Sequence, residues 1–274
     1  MRNSAIAVMP PLEVELNQSV NEMVDENKEV LATEVKGFFE DLDFPWNILR
    51  ANRKYYEYLA KSFKENRIGK NVKISPKAVI KAPIAIGENS EIGDGVVIKS
   101  PMFIGENTRI DRGAILGRGI IGDNTIVENY CQVSAILGSH VRIGHAAEVS
   151  GIVFDKTYIT HYSEIDGVIG ENVDIGAGTL VGDLRFDCEK PTVKVKGKRY
   201  IAESMAYIGD YCRTGVGTML MPGVRVGPYS IVGPGVILYK DLEPYKMVLA
   251  KQELVKRDWG PSYYGYFRTR ELSA

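Results

Sequence analysis

Ile68, Ile74, Ile80, Ile86, Ile92, Ile98, Ile104 and Ile110 recur at a strict interval of six, and Leu116 extends the run. No α-helix repeats every six residues, and a plain strand alternates every two. An interval of six describes a very short strand followed by a corner, with one aliphatic side chain per side turned inward. Three such sides close a triangular coil of about 18 residues, so the chain is expected to be all-β, a parallel β-helix of hexapeptide repeats. The residue four after each isoleucine is often small, as at Ala78, Ser90, Thr108 and Ala114, and glycine often follows the isoleucine directly.

The register then shortens. Aliphatic residues fall at Ile121, Val127, Val133; Leu137, Ile143, Val149; Val153, Ile159, Ile165; and Ile169, Ile175, Val181. Steps of six, six and four give 16-residue coils, for which one tight corner is expected. Ile208, Leu220, Val226, Val232 and Leu238 restore the longer register, with Thr214 in the vacant slot. The interruption at 182–207 reads as a loop thrust out of one coil. Three regions follow: an N-terminal helical extension at 1–66, the β-helix at 67–241 with its inserted loop, and a C-terminal tail at 242–274. Solenoid ends need covering, and the extension and tail are the expected caps. A helix is expected to start near Pro45, where proline suits the first turn.

A formal charge of −1 over 274 residues argues against a nucleic-acid or membrane-surface partner. The first residues lack the apolar core of a secretory signal, and no apolar run approaches the length of a membrane span. Three cysteines without metal-ligand spacing fit a reducing compartment, so a cytoplasmic location is expected. Cys131 and Cys212 fall in the small inward slot and read as core, whereas Cys188 lies in the loop.

A 16-residue coil stacks residues 16 apart, at the spacing of adjacent strands. His161 then lies between His145 and Ala177, and Glu148 stacks on Glu164. Two imidazoles and two carboxylates on one edge of the prism suit proton transfer near neutral pH. The plainer reading is that these are solvated corner residues. Zinc chemistry of the γ-class carbonic anhydrase type, a family that also uses this β-helix, needs three convergent ligands, yet His140 and His145 occupy different phases of the coil, and resemblance to that family's G-H-x-x-x-x-H arrangement would require a histidine at Ser150. No metal is expected.

The segment "HAAEVSGIVFDKTYITHYSEIDGVIGENVDIGAGTLVGDLRFD" resembles the acetyltransferase domain of bifunctional sugar-1-phosphate nucleotidylyltransferase/acetyltransferases, the N-acetylglucosamine-1-phosphate uridyltransferase type. The similarity runs from about Ile68 to Asp241. A histidine followed by I-G-E-N-V-x-I-G-A-G-T and a basic loop is its most specific part. "GFFEDLDFPWNILRAN" is similar to the end of the family's nucleotidylyltransferase domain, but no G-x-G-T-R-L signature is present, so pyrophosphorylase activity is not expected. The resemblance implies a left-handed coil, a homotrimer with sites between subunits, and acetyl-CoA as co-substrate. It implies His161 as general base, Glu148 as its orienting carboxylate, and the Ala177 N–H near the developing oxyanion.

The same resemblance marks departures on the sugar side. The family's arginine and lysine for the sugar phosphate align near Gln132 and Ser150. Its tyrosine aligns with Glu164, beside Tyr162, and two of its asparagines align with Asp174 and Asp183, the latter near the CoA site. Lys190 corresponds to the family's loop lysine, and Lys251 to a position near the CoA phosphates. Residues 190–199 hold five basic side chains and no acidic one, which offers compensation for the lost cations. The implied function is N-acetyl transfer from acetyl-CoA to an amino-sugar phosphate like glucosamine 1-phosphate, or to a nucleotide amino sugar. The alternative is a non-catalytic trimeric partner or regulatory subunit of a separate sugar nucleotidylyltransferase.

Overall fold

Each isoleucine of the six-residue run sits on a strand of two or three residues, those from Ile86 to Ile110 are buried, and the corners after Ile68, Ile86, Ile92, Ile104 and Ile110 each carry a residue with positive φ. In the computed structural model, which describes residues 16–195 and 197–259, Asn71, Asn89, Asn107 and Asn124 hold φ between 51° and 59° at successive corners. Asparagine tolerates this left-handed conformation better than other residues with a side chain, which explains the recurring I-G-x-N pattern. Stacking these coils gives a left-handed parallel β-helix.

Three faces result. The second face is the most regular: Ile74, Ile92, Ile110, Val127, Ile143, Ile159, Ile175, Thr214, Val232 and Val248 pair in parallel register from coil to coil. The small inward slot is buried as expected, and its hydroxyls work inside the prism. Ser90 Oγ donates to the Gly105 carbonyl at 2.8 Å, Thr108 Oγ1 to Gly122 at 2.8 Å and Thr157 Oγ1 to Gly170 at 2.8 Å. Among the described residues no buried side-chain nitrogen or oxygen lacks a partner.

Three expectations are corrected. The four-residue step is not a tight corner. With two fewer residues to place, the chain runs straight through as six-residue strands, Gln132–Leu137, Glu148–Val153 and Glu164–Ile169, that join the third face to the first. Val133, Ala135 and Leu137 accordingly alternate inward with the period of a plain strand. The solenoid also extends past 241, because Leu242 bridges Val226 and Met247–Val248 pairs with Ile231–Val232. The step from Leu238 to Leu242 is again four, which disguised one more coil.

The third correction concerns the extension. The chain divides into two units, Met1–Phe39 and Glu40–Ala274. The first contains helix α1, Leu16–Asp25. Helix α2, Pro45–Ser62, belongs to the second unit and lies along the first face of the solenoid rather than over its end. Asn47 Oδ1 accepts the Phe44 N–H at 2.8 Å and fixes its entry. Trp46 meets Tyr207 at 6.2 Å between ring centres, the Tyr56 hydroxyl donates to the Pro101 carbonyl at 2.9 Å, and Phe63 at the helix end meets Phe103 at 4.9 Å. The outward column Phe103, Ile120, Ile136, Ile152, Val168, Tyr207 spans five coil steps, roughly 24 Å. An 18-residue helix is about 27 Å long, so its length matches the face it covers.

The insertion leaves after Val181 and returns at Ala206. Its core is an antiparallel hairpin, Thr192–Val195 with Lys198–Ile201. Val193, Ala202 and Tyr200 join Trp46, Phe44 and Tyr207 in a second apolar cluster outside the prism.

Candidate functional site

The 16-residue register stacks His145, His161 and Ala177 on one edge of the solenoid. Arg142 pairs with Tyr158 and Tyr158 with Asp174, so the corners carrying His145, His161 and Ala177 lie directly above one another. The Tyr162 N–H donates to the His145 carbonyl at 3.0 Å and the Gly178 N–H to the His161 carbonyl at 3.1 Å. Coils can approach this closely because glycine stands at 144. A Cβ there would sit 2.7 Å from the His161 backbone nitrogen.

Aromatic rings and imidazoles interleave along this edge. Tyr130 meets His145 at 5.9 Å, His145 meets Tyr162 at 5.5 Å, and Tyr162 meets His161 at 5.3 Å, each edge to face. Tyr130 and Tyr162 reach these places from left-handed corners, with φ of 61° and 57°. His145 is thus half-buried between two rings, whereas His161 ends the ladder and is exposed. The His145 N–H is also capped by a Glu128 carboxylate oxygen at 2.9 Å, and Glu128 in turn holds Arg142.

Capping of the backbone N–H varies from corner to corner, and on this face the equivalent groups of Arg112 and Asn129 make no hydrogen bond among the described residues. The equivalent N–H groups of Glu106, Ser139, His145 and Glu171 are each capped by a carboxylate from a neighbouring coil. Those of His161 and Ala177 make no hydrogen bond among the described residues. Two outward backbone donors therefore stand free beside an exposed imidazole, an arrangement able to meet a developing oxyanion.

After this corner the third face opens into a cavity of about 250 Å³, whose wall includes Gln132, Glu148, Ser150, Glu164, Asp166 and Asp183. Gln132 Nε2 donates to Glu148 Oε1 at 2.7 Å, and Glu148 stacks on Glu164 in register. Five residues singled out in the sequence meet here: Gln132, Glu148, Ser150, Glu164 and Asp183. His161 and Tyr162 stand on the corner leading into it rather than in its wall. Asp174 faces the second face instead, 3.8 Å from Arg213. Lys190 is carried on the insertion and Lys251 follows the last strand; neither lines this cavity. Sequence reasoning passed over Glu128, Tyr130 and Asp166, although Asp166 is 16 residues after Ser150 and the same register would have found it.

Burial raises the Cys131 thiol to about 11 and also raises the Cys212 thiol, so neither provides a thiolate nucleophile at neutral pH. Among the described residues no three His, Cys, Asp or Glu side chains are grouped to hold a metal ion, and no helix is long and apolar enough to cross a membrane.

Two family profiles match the chain: the GMPPB C-terminal domain over residues 63–154, and the bacterial transferase hexapeptide (six repeats) over 205–240. A protein described as bifunctional protein GlmU from Methanococcus maripaludis strain S2 is 30% identical over 264 residues, covering 93% of this chain and 59% of that protein. The bifunctional sugar-1-phosphate nucleotidylyltransferase/acetyltransferase of Sulfurisphaera tokodaii is 33% identical over 235 residues, 84% of this chain and 53% of its own length. The chain thus spans somewhat more than half the length of these relatives. Among solved structures, an Arabidopsis UDP-N-acetylglucosamine acyltransferase aligns with a TM-score of 0.47 and 14% identity over 67% of each chain.

Proposed function

From its membership of the hexapeptide-repeat family that includes these bifunctional relatives, we propose that this chain is an acetyl-CoA-dependent N-acetyltransferase whose acceptor is an amino-sugar phosphate of the glucosamine 1-phosphate kind. The observation that carries the reading is the corner at 161–177, where an exposed imidazole, two uncapped backbone N–H groups and the Glu148–Glu164 pair lie within three successive coils.

The cavity beside the corner holds four carboxylates, Glu148, Glu164, Asp166 and Asp183, and no cation in its wall. Such a field draws in an ammonium group rather than a bare anion. Acetyl transfer needs that amine neutral as it attacks. The amine nitrogen bonds to the thioester carbonyl carbon, His161 accepts the N–H proton, and Glu148 orients the group from the adjacent coil. The carbonyl oxygen gains charge facing the Ala177 N–H. The C–S bond then breaks, and the CoA sulfur leaves with a proton, completing an amide and free CoA. Pantetheine would run along the solenoid edge, with Asp183 near it and Lys251 toward the phosphates. The exposure of His161 in the single chain is what a site completed by a neighbouring subunit of a homotrimer would have.

The test is CoA release from acetyl-CoA with glucosamine 1-phosphate and galactosamine 1-phosphate. His161→Ala is expected to lower kcat by roughly 10²–10⁴-fold, the usual worth of a general base. Release that is equal in the variant removes His161 from the chemistry. A second reading, a non-catalytic β-helix partner of a separate nucleotidylyltransferase, is favoured by the GMPPB C-terminal domain match and by the missing cations at Gln132 and Ser150. A folded wild-type protein that neither releases nor binds CoA would support that reading instead.

A further inference from the structure

The acidic cavity has an immediate neighbour. A second cavity, about 300 Å³, opens between α2 and the middle of the three long strands that join the third face to the first. The two cavities share Ser134, Ser150 and Asp166. Their charges differ in kind. The second receives Arg53 from α2 and Arg118 from the preceding coil, and neither guanidinium has an ion-pair partner among the described residues. Its two carboxylates are already engaged: Glu203 is paired with Arg50, and Asp166 accepts the Ser204 hydroxyl at 3.3 Å.

We propose that Arg53 and Arg118 bind the phosphate of the acceptor, and that the acceptor lies across Ser134 and Ser150 with its amine in the acidic cavity. This inference rests on the acetyl-transfer reading of the site. A 2-amino sugar 1-phosphate carries its positive and negative groups on adjacent ring carbons. Two contiguous cavities, one lined by carboxylates without a cation and one that adds the guanidiniums of Arg53 and Arg118, match that dipole. Glu148 and Ser150 lie two residues apart on one strand, about 6.6 Å, so a single pyranose ring bridges the two environments. Arginine is suited to the task because its planar fork meets phosphate oxygens in pairs. The positive charge that resemblance leads one to expect at Gln132 and Ser150 is thus supplied from outside the strands, by the helix and by the coil before. It also gives α2 a direct part in binding, since Arg53 stands on the same helix whose Leu49 and Tyr56 line the cavity.

The decisive experiment compares steady-state kinetics of wild type, Arg53→Gln/Arg118→Gln, and that double variant with Ser150→Lys added. The double variant is expected to raise KM for glucosamine 1-phosphate at least ~10-fold, with kcat and the KM for acetyl-CoA far less affected, as befits lost binding rather than lost chemistry. Ser150→Lys, which places a cation between the two cavities, is expected to recover much of the loss. An unchanged KM in the double variant overturns the proposal while leaving acetyl transfer standing. Should wild type release no CoA, calorimetric titration with glucosamine 1-phosphate decides the matter separately. Binding that disappears in the double variant upholds the phosphate pocket and ends the acetyl-transfer reading. Equal binding in both proteins, or none in either, overturns the pocket.

Discussion

His161 is set apart from His145 by what surrounds it rather than by its place in the repeat. Both follow an inward isoleucine by two, but His145 is wedged between Tyr130 and Tyr162 with its N–H capped, while His161 keeps an open side. The corner depends on close stacking. Gly144→Ala would press a methyl group against the His161 backbone at 2.7 Å, where only backbone atoms could give way. Thermal scanning is expected to show a lowered Tm, and CoA release should fall with it; a variant with unaltered turnover would mean the corner tolerates displacement. The cysteines allow a separate check. Cys188 is exposed, while burial holds the Cys131 thiol near 11 and raises Cys212. A thiol reagent at neutral pH should titrate one fast group per folded chain and three after denaturation, and Cys188→Ser should abolish the fast group.

Helix α2 is anchored at its entry by Glu40, whose side chain is only 8% exposed and is gripped by Lys54 at 2.6 Å and Arg50 at 3.0 Å. The hydrogen bond from Lys54, with further help from Asn47 and Arg50, holds the Glu40 carboxyl below its ordinary value against the opposing effect of burial. A carboxyl lowered on folding stabilises the folded state above its unfolded pKa, about 4.3, and that contribution disappears as pH falls through the folded value. Acid titration of Trp46 fluorescence in a Trp259→Phe background should therefore show loosening of α2 below that range, and Glu40→Gln should remove this dependence. A transition of equal midpoint in Glu40→Gln would show that other groups govern it. The helix itself was legible from Pro45 onward, but not its seat. Ile136, Ile152 and Val168 are outward apolar residues lying between inward ones, and a search for inward positions passes over them as part of the same run. Their excess was the signal that something covers that face. The stacking of His161, Ala177, Glu148 and Glu164 could be counted directly, because register fixes it. Lys190 and Lys251 could not be placed, because the loop and the chain beyond the last strand obey no register.

The solenoid is a prism whose three faces have separate tasks. One carries the helix and hairpin, one is a regular charged sheet, and one bears the acidic cavity at its middle. Along that third face, Leu180, Met219 and Ile237 remain exposed in the single chain. Burial of such a column against neighbouring copies would fit the homotrimer proposed for the site, and sedimentation equilibrium should give about three chains per particle if it forms. The dense inward packing makes each coil costly to perforate. Ile159→Ala, at a wholly buried position one coil below Ile175, is expected to cost about 2–5 kcal/mol in denaturant unfolding. The proposed activity, however, requires that an amine be acetylated at the His161 corner. The most direct measurement is the NMR spectrum of glucosamine 1-phosphate incubated with acetyl-CoA and the protein. An amide-linked acetyl group that appears with wild type and is all but lost with His161→Ala is the predicted result. No acetylated sugar from a wild-type protein that binds both substrates, or equal yield from the variant, would contradict it.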